Sequence, residues 1–364
     1  MTDKPRPPVV RAIEIGFGTI SLTSIESNGR PVIRTFPSVA TPVEKSELKS
    51  SLDLYASRKV VHVEVDGITY EVGEEAHLSS KSGQTHTQIL NDSYVDSPQY
   101  KALFLGSLYM VHAGDDDVID LLVLGLPVNH FAKRKMLIEL AKGEHKIGTR
   151  IITVKDVMVL PQPLGGLLAY ANSIGQERFQ SEFVQSNTLC IDVGTLTLDH
   201  IVSRGLTVNS NRSGAVPQGV SVLIKELQNE VTKAFGLTSL IPHYVVDDAL
   251  WRHRGVIRVR GKSYPFPVCD GTLSDGTPTK IQFDFRPVMK KVTSEALIPV
   301  QNSIGDGADI DRIVAVGGPI EHYKEAIKSA FPEHDIVFME QALTAVCEGL
   351  FYAGKHALKQ KVAA

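Results

Sequence analysis

A short pattern occurs twice in this chain, and its repetition constrains the fold more than any other feature of the sequence. "EIGFGTIS" at 14–21 and "DVGTLTLD" at 192–199 share an acid, a glycine two residues later and a threonine three residues after that. Each copy stands where an apolar strand pattern gives way to a turn and a second strand, and helical and strand patterns alternate afterwards. The sequence therefore predicts two related α/β halves that face each other.

Composition is compatible with two packed domains and limits the possible partners. The chain has 364 residues, of which 43% are apolar and 22% are charged, so it can bury a substantial core. The net charge of -3, without a dense stripe of lysine and arginine, argues against strong direct binding of nucleic acid. Three separated cysteines indicate reduced core thiols, and no apolar run reaches the roughly 20 residues of a membrane span. We expect a cytoplasmic protein that does not contact membranes.

Three stretches of the chain have less regular patterns. The polar segment at 41–59 is expected to be an exposed excursion from the first domain. Residues 150–163, "RIITVKDVMVLPQP", are predicted to form one strand, and a helix is expected at 164–179. The segment 237–285 is predicted to be a small subdomain of strands and loops.

The repeated acid-glycine-threonine turn has a specific chemical use. A glycine two residues after the acid lets the backbone turn and brings its N–H groups close to an anion. The acid can hold Mg²⁺ through water, because this ion prefers a few carboxylates together with phosphate oxygens. Two such turns, one in each half, would clamp a nucleoside triphosphate from both sides. The alternative reading of a single copy is a plain hairpin with an exposed turn.

Five motifs in order carry a resemblance to a known superfamily. "RAIEIGFGTISL" resembles the first phosphate loop, and "CIDVGTLTLDHIV" the second phosphate loop, of the actin, sugar kinase and DnaK-type chaperone superfamily. "VLPQPLGGLLAY" and "EQALTAVCEGLFYA" are similar to its two connecting helices, and "RIVAVGGPIEHY" to its adenosine motif. The resemblance implies an α/β, actin-like (ribonuclease H-like) fold with two duplicated domains around a nucleotide cleft. It places domain I at 1–185 and 341–364, and domain II at 186–340.

Within the superfamily the chain resembles the ParM/StbA family of bacterial actins of plasmid segregation, in particular the ParM-like D proteins of PRTRC gene systems. Further segments carry this resemblance, namely "FPSVA", "YEVGEEA", "NDSYVDSPQYKALFLGSLYMV", "LVLGLPV" and "GAVPQGVSVLIKELQNEV". It implies an ATPase that binds ATP or GTP with Mg²⁺ and self-associates into filaments. A separate adaptor protein would link those filaments to plasmid DNA.

The resemblance also implies roles for individual residues. Asp192 and Glu14 would hold Mg²⁺, and Gln162 would orient the attacking water, since phosphoryl transfer depends mainly on positioning and charge stabilisation. The backbone of the two loops and of the adenosine motif would contact the nucleotide. These expected contacts are Gly16, Phe17, Gly18, Thr19, Gly194, Thr195, Leu196, Thr197, Gly317, Gly318 and Pro319.

Two departures from the family pattern and three assignments leave alternatives open. The first loop has Glu14 instead of aspartate, and Ser21 stands where actins carry a phosphate-contacting lysine, so hydrolysis could be weak. Gln162 could instead be an ordinary first residue of a surface helix, and the glycines at 317 and 318 a simple strand-helix turn. Asp199 could orient Thr197, add charge to a metal site or face solvent.

Three functions share the predicted cleft. The first is a filament driven by nucleotide, the second a nucleotide-switched adaptor that does not polymerise, and the third a sugar- or acid-kinase-like phosphotransferase. A carboxylate base in a second-substrate pocket, which a kinase requires, is not evident in the sequence. A DnaK-type chaperone is not expected, because the chain ends at Ala364 after the last connecting helix.

Overall fold

The computed structural model describes residues 6–43, 58–79, 94–252 and 255–363. The segment 41–59, expected to be an exposed excursion, lies mostly outside these ranges. The described residues form two five-stranded sheets, several smaller ladders and the helices that cover them.

The first large sheet has the strand order β11-β8-β1-β2-β3. Strands β1, β2 and β3 form an antiparallel meander, while β8 and β11 run parallel to β1. The strand β8 is buried along its whole length, as expected for a strand covered on both faces. The strands of this sheet are β1 (Val10–Ile15), β2 (Thr19–Ser27), β3 (Arg30–Pro37), β8 (Leu121–Leu126) and β11 (Val157–Pro161).

The second large sheet repeats this topology. Its order is β14-β13-β12-β19-β20, again with an antiparallel meander of three strands followed by two strands parallel to the first. Its strands are β12 (Asn187–Val193), β13 (Leu198–Arg204), β14 (Thr207–Val216), β19 (Arg312–Val316) and β20 (Asp335–Phe338). The duplication predicted from the two acid-glycine-threonine turns is therefore confirmed by strand order and direction.

The remaining strands form small ladders at the periphery. They make two three-stranded sheets, β4-β6-β5 and β7-β10-β9, and two hairpins, β15-β16 and β17-β18. Their bounds are β4 (Ala40–Pro42), β5 (Val60–Val65), β6 (Ile68–Gly73), β7 (Val118–Ile119), β9 (Gly143–Ile147), β10 (Arg150–Val154), β15 (Val256–Val259), β16 (Lys262–Pro265), β17 (Val268–Thr272) and β18 (Pro278–Asp284).

The single strand expected at 150–163 is wrong, because two strands occupy it. The chain changes sheet at Lys155 and Asp156. The N–H of Lys155 donates to the carbonyl of Ile119, and the carbonyl of Asp156 accepts from Leu122, so β10 ends in the small ladder while β11 begins in the large sheet. Alternating apolar residues on both sides of a bend look like one strand in the sequence.

The helices cover the faces of both sheets, and one of them was not predicted. The helix α6 lies within 237–285, where the sequence predicted only strands and loops. None of the helices in the described ranges is long and apolar enough to cross a bilayer. The helices are α1 (Pro98–Met110), α2 (Arg134–Ala141), α3 (Gln162–Ser173), α4 (Gly175–Arg178), α5 (Val220–Ala234), α6 (His243–Trp251), α7 (Arg286–Ile304), α8 (Ile320–Ala330) and α9 (Ala345–Ala363).

Two helices, α3 and α9, join the two sheets. One core cluster contains side chains of β1 and β8, of β12, β13 and β19, and of both helices. The helices cross at Gly165 and Gly349, where a Cβ added to Gly349 would lie 1.8 Å from the carbonyl oxygen of Gly165. Glycine is required here by the close approach of two backbones.

We expect Gly349→Ala to lower the free energy of unfolding by about 3 kcal/mol, because the methyl group would overlap backbone that cannot move aside. Helix propensity alone would favour alanine at position 349 by about 1 kcal/mol. A loss of stability would therefore show that the close backbone contact outweighs helix propensity. Chemical denaturation would measure it, with exposed Lys359→Ala on the same helix as a control expected to change stability by less than about 0.5 kcal/mol. A neutral or stabilising effect of Gly349→Ala would contradict the tight crossing.

Candidate functional site

The two acid-glycine-threonine turns have equivalent geometry. The N–H of Gly16 donates to the carbonyl of Thr19 at 3.1 Å, and the N–H of Gly194 donates to the carbonyl of Thr197 at 2.9 Å. In the ladders Glu14 pairs with Ser21 as Asp192 pairs with Asp199. The offset of 178 residues between positions 14 and 192 therefore holds for every paired position of the turns. We call residues 16–19 loop 1 and residues 194–197 loop 2.

Loop 1 and loop 2 face each other and touch. A Cβ added to Gly18 would lie 2.1 Å from Oγ1 of Thr195, so a side chain at position 18 would collide with loop 2. Leu196 of loop 2 packs against the core cluster of the first half. The structure thus brings together the two segments that the sequence predicted to clamp one ligand.

A backbone N–H and a side chain of the first half hold loop 1 by its carbonyl groups. The N–H of Ser38 donates to the carbonyl of Gly18 at 3.0 Å, and the hydroxyl of Tyr94 donates to the carbonyl of Gly16 at 3.4 Å. The ring of Phe17 stacks on that of Tyr94, with 4.5 Å between centroids. Ser38 and Tyr94 lie in segments that carry the family resemblance, but their supporting roles were not predicted.

The start of α5 holds loop 2 in a similar way. The N–H groups of Gly219, Val220 and Ser221 donate to the carbonyls of Leu196, Gly194 and Thr195, respectively, at 2.8 to 3.1 Å. A Cβ on Gly219 would lie 2.5 Å from the carbonyl oxygen of Thr195, so only glycine fits there. Sequence reasoning missed Gly219. These contacts engage the carbonyl groups of the loops. The backbone N–H groups of the loops that make no hydrogen bond within the protein are available to an anion.

The acids of the two turns are buried beside each other. Asp192 is 7% exposed, and Oε2 of Glu14 is buried and has no hydrogen-bond partner among the described residues. Burial and then the charge of Asp192 hold the pKa of Glu14 well above its usual range. Burial and then the charge of Asp199 raise the pKa of Asp192 to about 7. These acids therefore need a cation or a proton.

Ser21 lies beside these acids at the position of the family's lysine. Its side chain is buried, at 2% exposure, on the strand opposite Glu14. Among the described residues, no ion pair to Glu14 or Asp192 is present. The departure noted in the sequence thus leaves the acids without a protein cation as a partner in this part of the chain.

Gln162 is the first residue of α3 and lies beside Glu14. Its side chain is 6% exposed, so the alternative of an ordinary surface residue is wrong. A Cβ added to Gly125 would lie 3.1 Å from Cγ of Gln162 and 3.6 Å from Cγ of Glu14, so both side chains flank Gly125. Nε2 of Gln162 is buried without a hydrogen-bond partner among the described residues. An unpartnered buried amide is suited to orienting a ligand water.

The turn after β19 adjoins loop 2. Gly317 has a φ of +99°, and a Cβ there would lie 2.2 Å from the carbonyl oxygen of Val193 and 2.8 Å from Oδ1 of Asp192. Gly318 approaches Leu343, which is 44% exposed, and Pro319 precedes α8. Leu343 gives this turn an exposed apolar neighbour that sequence reasoning missed.

The residues present fit Mg²⁺ held together with a phosphate ligand. Within 6–43, 58–79, 94–252 and 255–363, no three His, Cys, Asp or Glu side chains are gathered closely enough to hold a metal ion. Mg²⁺ keeps several waters and takes one or two carboxylates together with substrate phosphates. The orphaned Oε2 of Glu14 and the buried carboxylate of Asp192 match that requirement.

We expect the free energy of unfolding of the nucleotide-free protein to fall as the pH rises from about 4 to about 7. Because the pKa of Asp192 is raised in the folded chain from 3.8 to about 7, the folded state binds a proton that the unfolded state has released. One such group contributes about 1.4 kcal/mol per pH unit across this window. Denaturation at several pH values in EDTA would measure the slope.

The variant Asp192→Asn should remove that contribution, whereas Glu64→Gln, a change of an exposed acid, should keep it. An unchanged slope in Asp192→Asn would contradict the burial of a titrating carboxyl at this position.

Comparisons with known proteins agree with the two-domain fold. Residues 12–165 match the family model described as the N-terminal domain of actin-like proteins. A 15-stranded ParM filament from Clostridium botulinum has a TM-score of 0.71 at 17% identity, and Ta0583, an archaeal actin homolog, has 0.70 at 17%. Each match covers 96% of this chain and 99% of the other.

The complex of Ta0583 with ADP has a TM-score of 0.64 at 16% identity, covering 96% of this chain and 99% of that one. No curated protein is significantly similar in sequence. Residues 12–165 therefore match the N-terminal domain of actin-like proteins, and the chain as a whole has the two-domain, actin-like fold seen in ParM and the archaeal actin homolog.

Proposed function

We propose that this chain is an actin-like ATPase that binds ATP with Mg²⁺ between its two halves and self-associates into filaments. The observation that carries the proposal is the contact between loop 1 and loop 2 above a buried pair of acids. Two facing turns with free N–H groups and a deficit of positive charge suit a ligand that brings both phosphate and a divalent cation.

The residues of the site have different roles in ligand binding. The N–H groups of loop 1 and loop 2 bind phosphate oxygens, and Asp192 and Glu14 hold the metal with its water. Bound Mg²⁺ would supply charge neutralisation for the phosphates. Gln162 orients the attacking water, because a neutral amide positions water well but is a poor base. The turn with Gly317, Gly318 and Pro319 contacts the nucleoside, with Leu343 at its edge.

The proposal extends to assembly and cargo. A relative of the same fold was solved as a ParM filament, and another, Alp12, as a filament, which supports self-association here. Plasmid or other DNA would be reached through an adaptor protein, since the net charge of -3 does not favour direct binding. We also propose that domain I comprises 1–185 and 341–364, that domain II comprises 186–340, and that the protein is cytoplasmic.

A nucleotide-switched adaptor that does not polymerise is the second candidate. It is favoured by the departures at Glu14 and Ser21, because a buried acid pair without a lysine would weaken phosphate binding or hydrolysis. The two candidates share the cleft and differ only in assembly.

We expect Asp192→Ala to weaken Mg-ATP binding by at least about 100-fold, equivalent to about 2.7 kcal/mol, because the metal would lose a buried carboxylate. Isothermal titration calorimetry or a fluorescent nucleotide would measure the affinity. Asp335→Ala serves as the control and should bind like wild type, because Asp335 pairs with Arg312 at the opposite end of β19 and β20 from the turn at Gly317. Retained affinity in Asp192→Ala would refute the metal assignment.

We expect the wild-type protein to sediment with a non-hydrolysable ATP analogue and Mg²⁺, and much less with ADP, because closure around a triphosphate would favour head-to-tail contacts. Pelleting and light scattering over a range of protein concentrations would measure assembly, with Asp192→Ala as the control that stays soluble. Nucleotide binding without nucleotide-dependent sedimentation at high concentration would reject the filament and favour the adaptor.

A further inference from the structure

The role of Asp199, which the sequence leaves open, is indicated by its two hydrogen bonds. Asp199 lies on β13 two residues after Thr197 and is 3% exposed, so the alternative that it faces solvent is wrong. Its Oδ2 accepts a hydrogen bond from Oγ1 of Thr197 at 2.5 Å. Its Oδ1 accepts one from the backbone N–H of Val128 at 2.9 Å.

Val128 belongs to the first half of the molecule. It follows β8 and Pro127 and begins a short 3-10 helix, Val128–Lys133. The bond to Asp199 therefore joins the end of a strand in the first sheet to the second strand of the other sheet. It does so directly and not through α3 or α9. One carboxylate thus touches loop 2 with one oxygen and the opposite half with the other.

We propose that Asp199 is a positioning residue that couples the conformation of loop 2 to the closure of the two halves. This inference rests on the proposed function, in which loop 2 binds phosphate. A ligand that fixes loop 2 fixes the hydroxyl of Thr197, which in turn holds the carboxylate in the orientation that Val128 needs. Coupling of this kind is reciprocal, so closure of the halves also raises the affinity of loop 2 for the ligand.

Burial of Asp199 makes its hydrogen bond to Val128 sensitive to opening of the two halves. If the halves separated, Oδ1 of Asp199 and the N–H of Val128 would lose each other as partners. A charged acceptor left without its donor costs more free energy than a neutral one. Each oxygen of Asp199 accepts a hydrogen bond from a different half of the molecule, so the orientation of the carboxylate depends on both halves.

The link can be broken from the Val128 side without changing a side chain of the cleft. Val128→Pro removes the N–H donor, and proline is tolerated at the first position of a helix. The preceding residue, Pro127, has φ -54° and ψ 150°, which is the conformation that a residue before proline favours. Val128→Ala is the matched control, because it shortens the side chain and keeps the N–H.

The link can be broken from the other side at Asp199. Asp199→Ala removes both acceptors. Asp199→Asn retains an oxygen that can accept from Val128 and an amide that can donate to Thr197, while it removes the charge. The asparagine variant therefore separates a hydrogen-bonding role from a role as metal charge.

The experiment is a double-mutant cycle with two readouts. The first is the affinity for Mg-ATP, and the second is the free energy of unfolding without nucleotide. We expect Val128→Pro and Asp199→Ala each to weaken Mg-ATP binding about tenfold, or about 1.4 kcal/mol. The double variant should be no weaker than Asp199→Ala alone, and Asp199→Asn and Val128→Ala should lie close to wild type. At protein concentrations too low for assembly, small-angle scattering with nucleotide should show a larger radius of gyration for monomers of the two disruptive variants than for wild-type monomers.

Two results would overturn the inference. Additive effects of Val128→Pro and Asp199→Ala would show that the two groups act independently. If Asp199→Asn bound Mg-ATP as weakly as Asp199→Ala, the charge of Asp199 would be the essential property and the coupling role would be rejected. This comparison is valid even if Val128→Pro does not fold. If wild type does not bind nucleotide, the proposed function fails, whereas the cycle measured on unfolding still tests the link between the halves.

Discussion

Burial of two like charges at the junction of the two sheets is the constraint on which the site depends. Glu14 and Asp192 each lie near the end of a central strand. Burial raises the pKa of both carboxyls, with a further rise at Glu14 from the charge of Asp192 and at Asp192 from the charge of Asp199. Ser21 adds no positive charge. In the proposed function, a nucleotide with its divalent cation would satisfy the acids and the free N–H groups of both loops at once, and neither half would supply the complete site alone.

The backbone around these acids is organised by close contacts that exclude side chains. Loop 1 and loop 2 touch at Gly18, and the turn at Gly317 lies against Asp192. The helices α3 and α9 cross at Gly165 and Gly349 and share one core with both sheets. Densely packed elements move as rigid bodies between discrete arrangements, so in the proposed function the halves would open and close about these contacts.

Much of this arrangement could be predicted from the sequence, because a repeated turn and an alternating pattern are local signals. The acid-glycine-threonine pattern that begins at Glu14 and again at Asp192 predicted the duplication, and the two large sheets have equivalent strand orders. The supports of the loops could not be predicted in the same way. Tyr94 and Gly219 lie in segments that carry the family resemblance, but their roles depend on contacts with loops elsewhere in the chain, which a local pattern does not reveal.

The wrong strand prediction at 150–163 and the alternative left open for Gln162 have the same physical origin. The break between β10 and β11 is made by pairing with different sheets, and the burial of Gln162 is made by packing against a strand at Gly125. Propensity and periodicity describe a segment alone, whereas these features depend on its neighbours in space. The link from Val128 to Asp199 belongs to this class, since 71 residues separate its two ends.

A crystal structure of the protein with Mg²⁺ and a non-hydrolysable ATP analogue would show directly whether both loops bind one nucleotide. We expect the phosphates between loop 1 and loop 2, the metal on the side of Asp192 and Glu14, and the base beside Gly317 and Leu343. A nucleotide bound elsewhere on the chain, or phosphates that contact only one of the two loops, would contradict it.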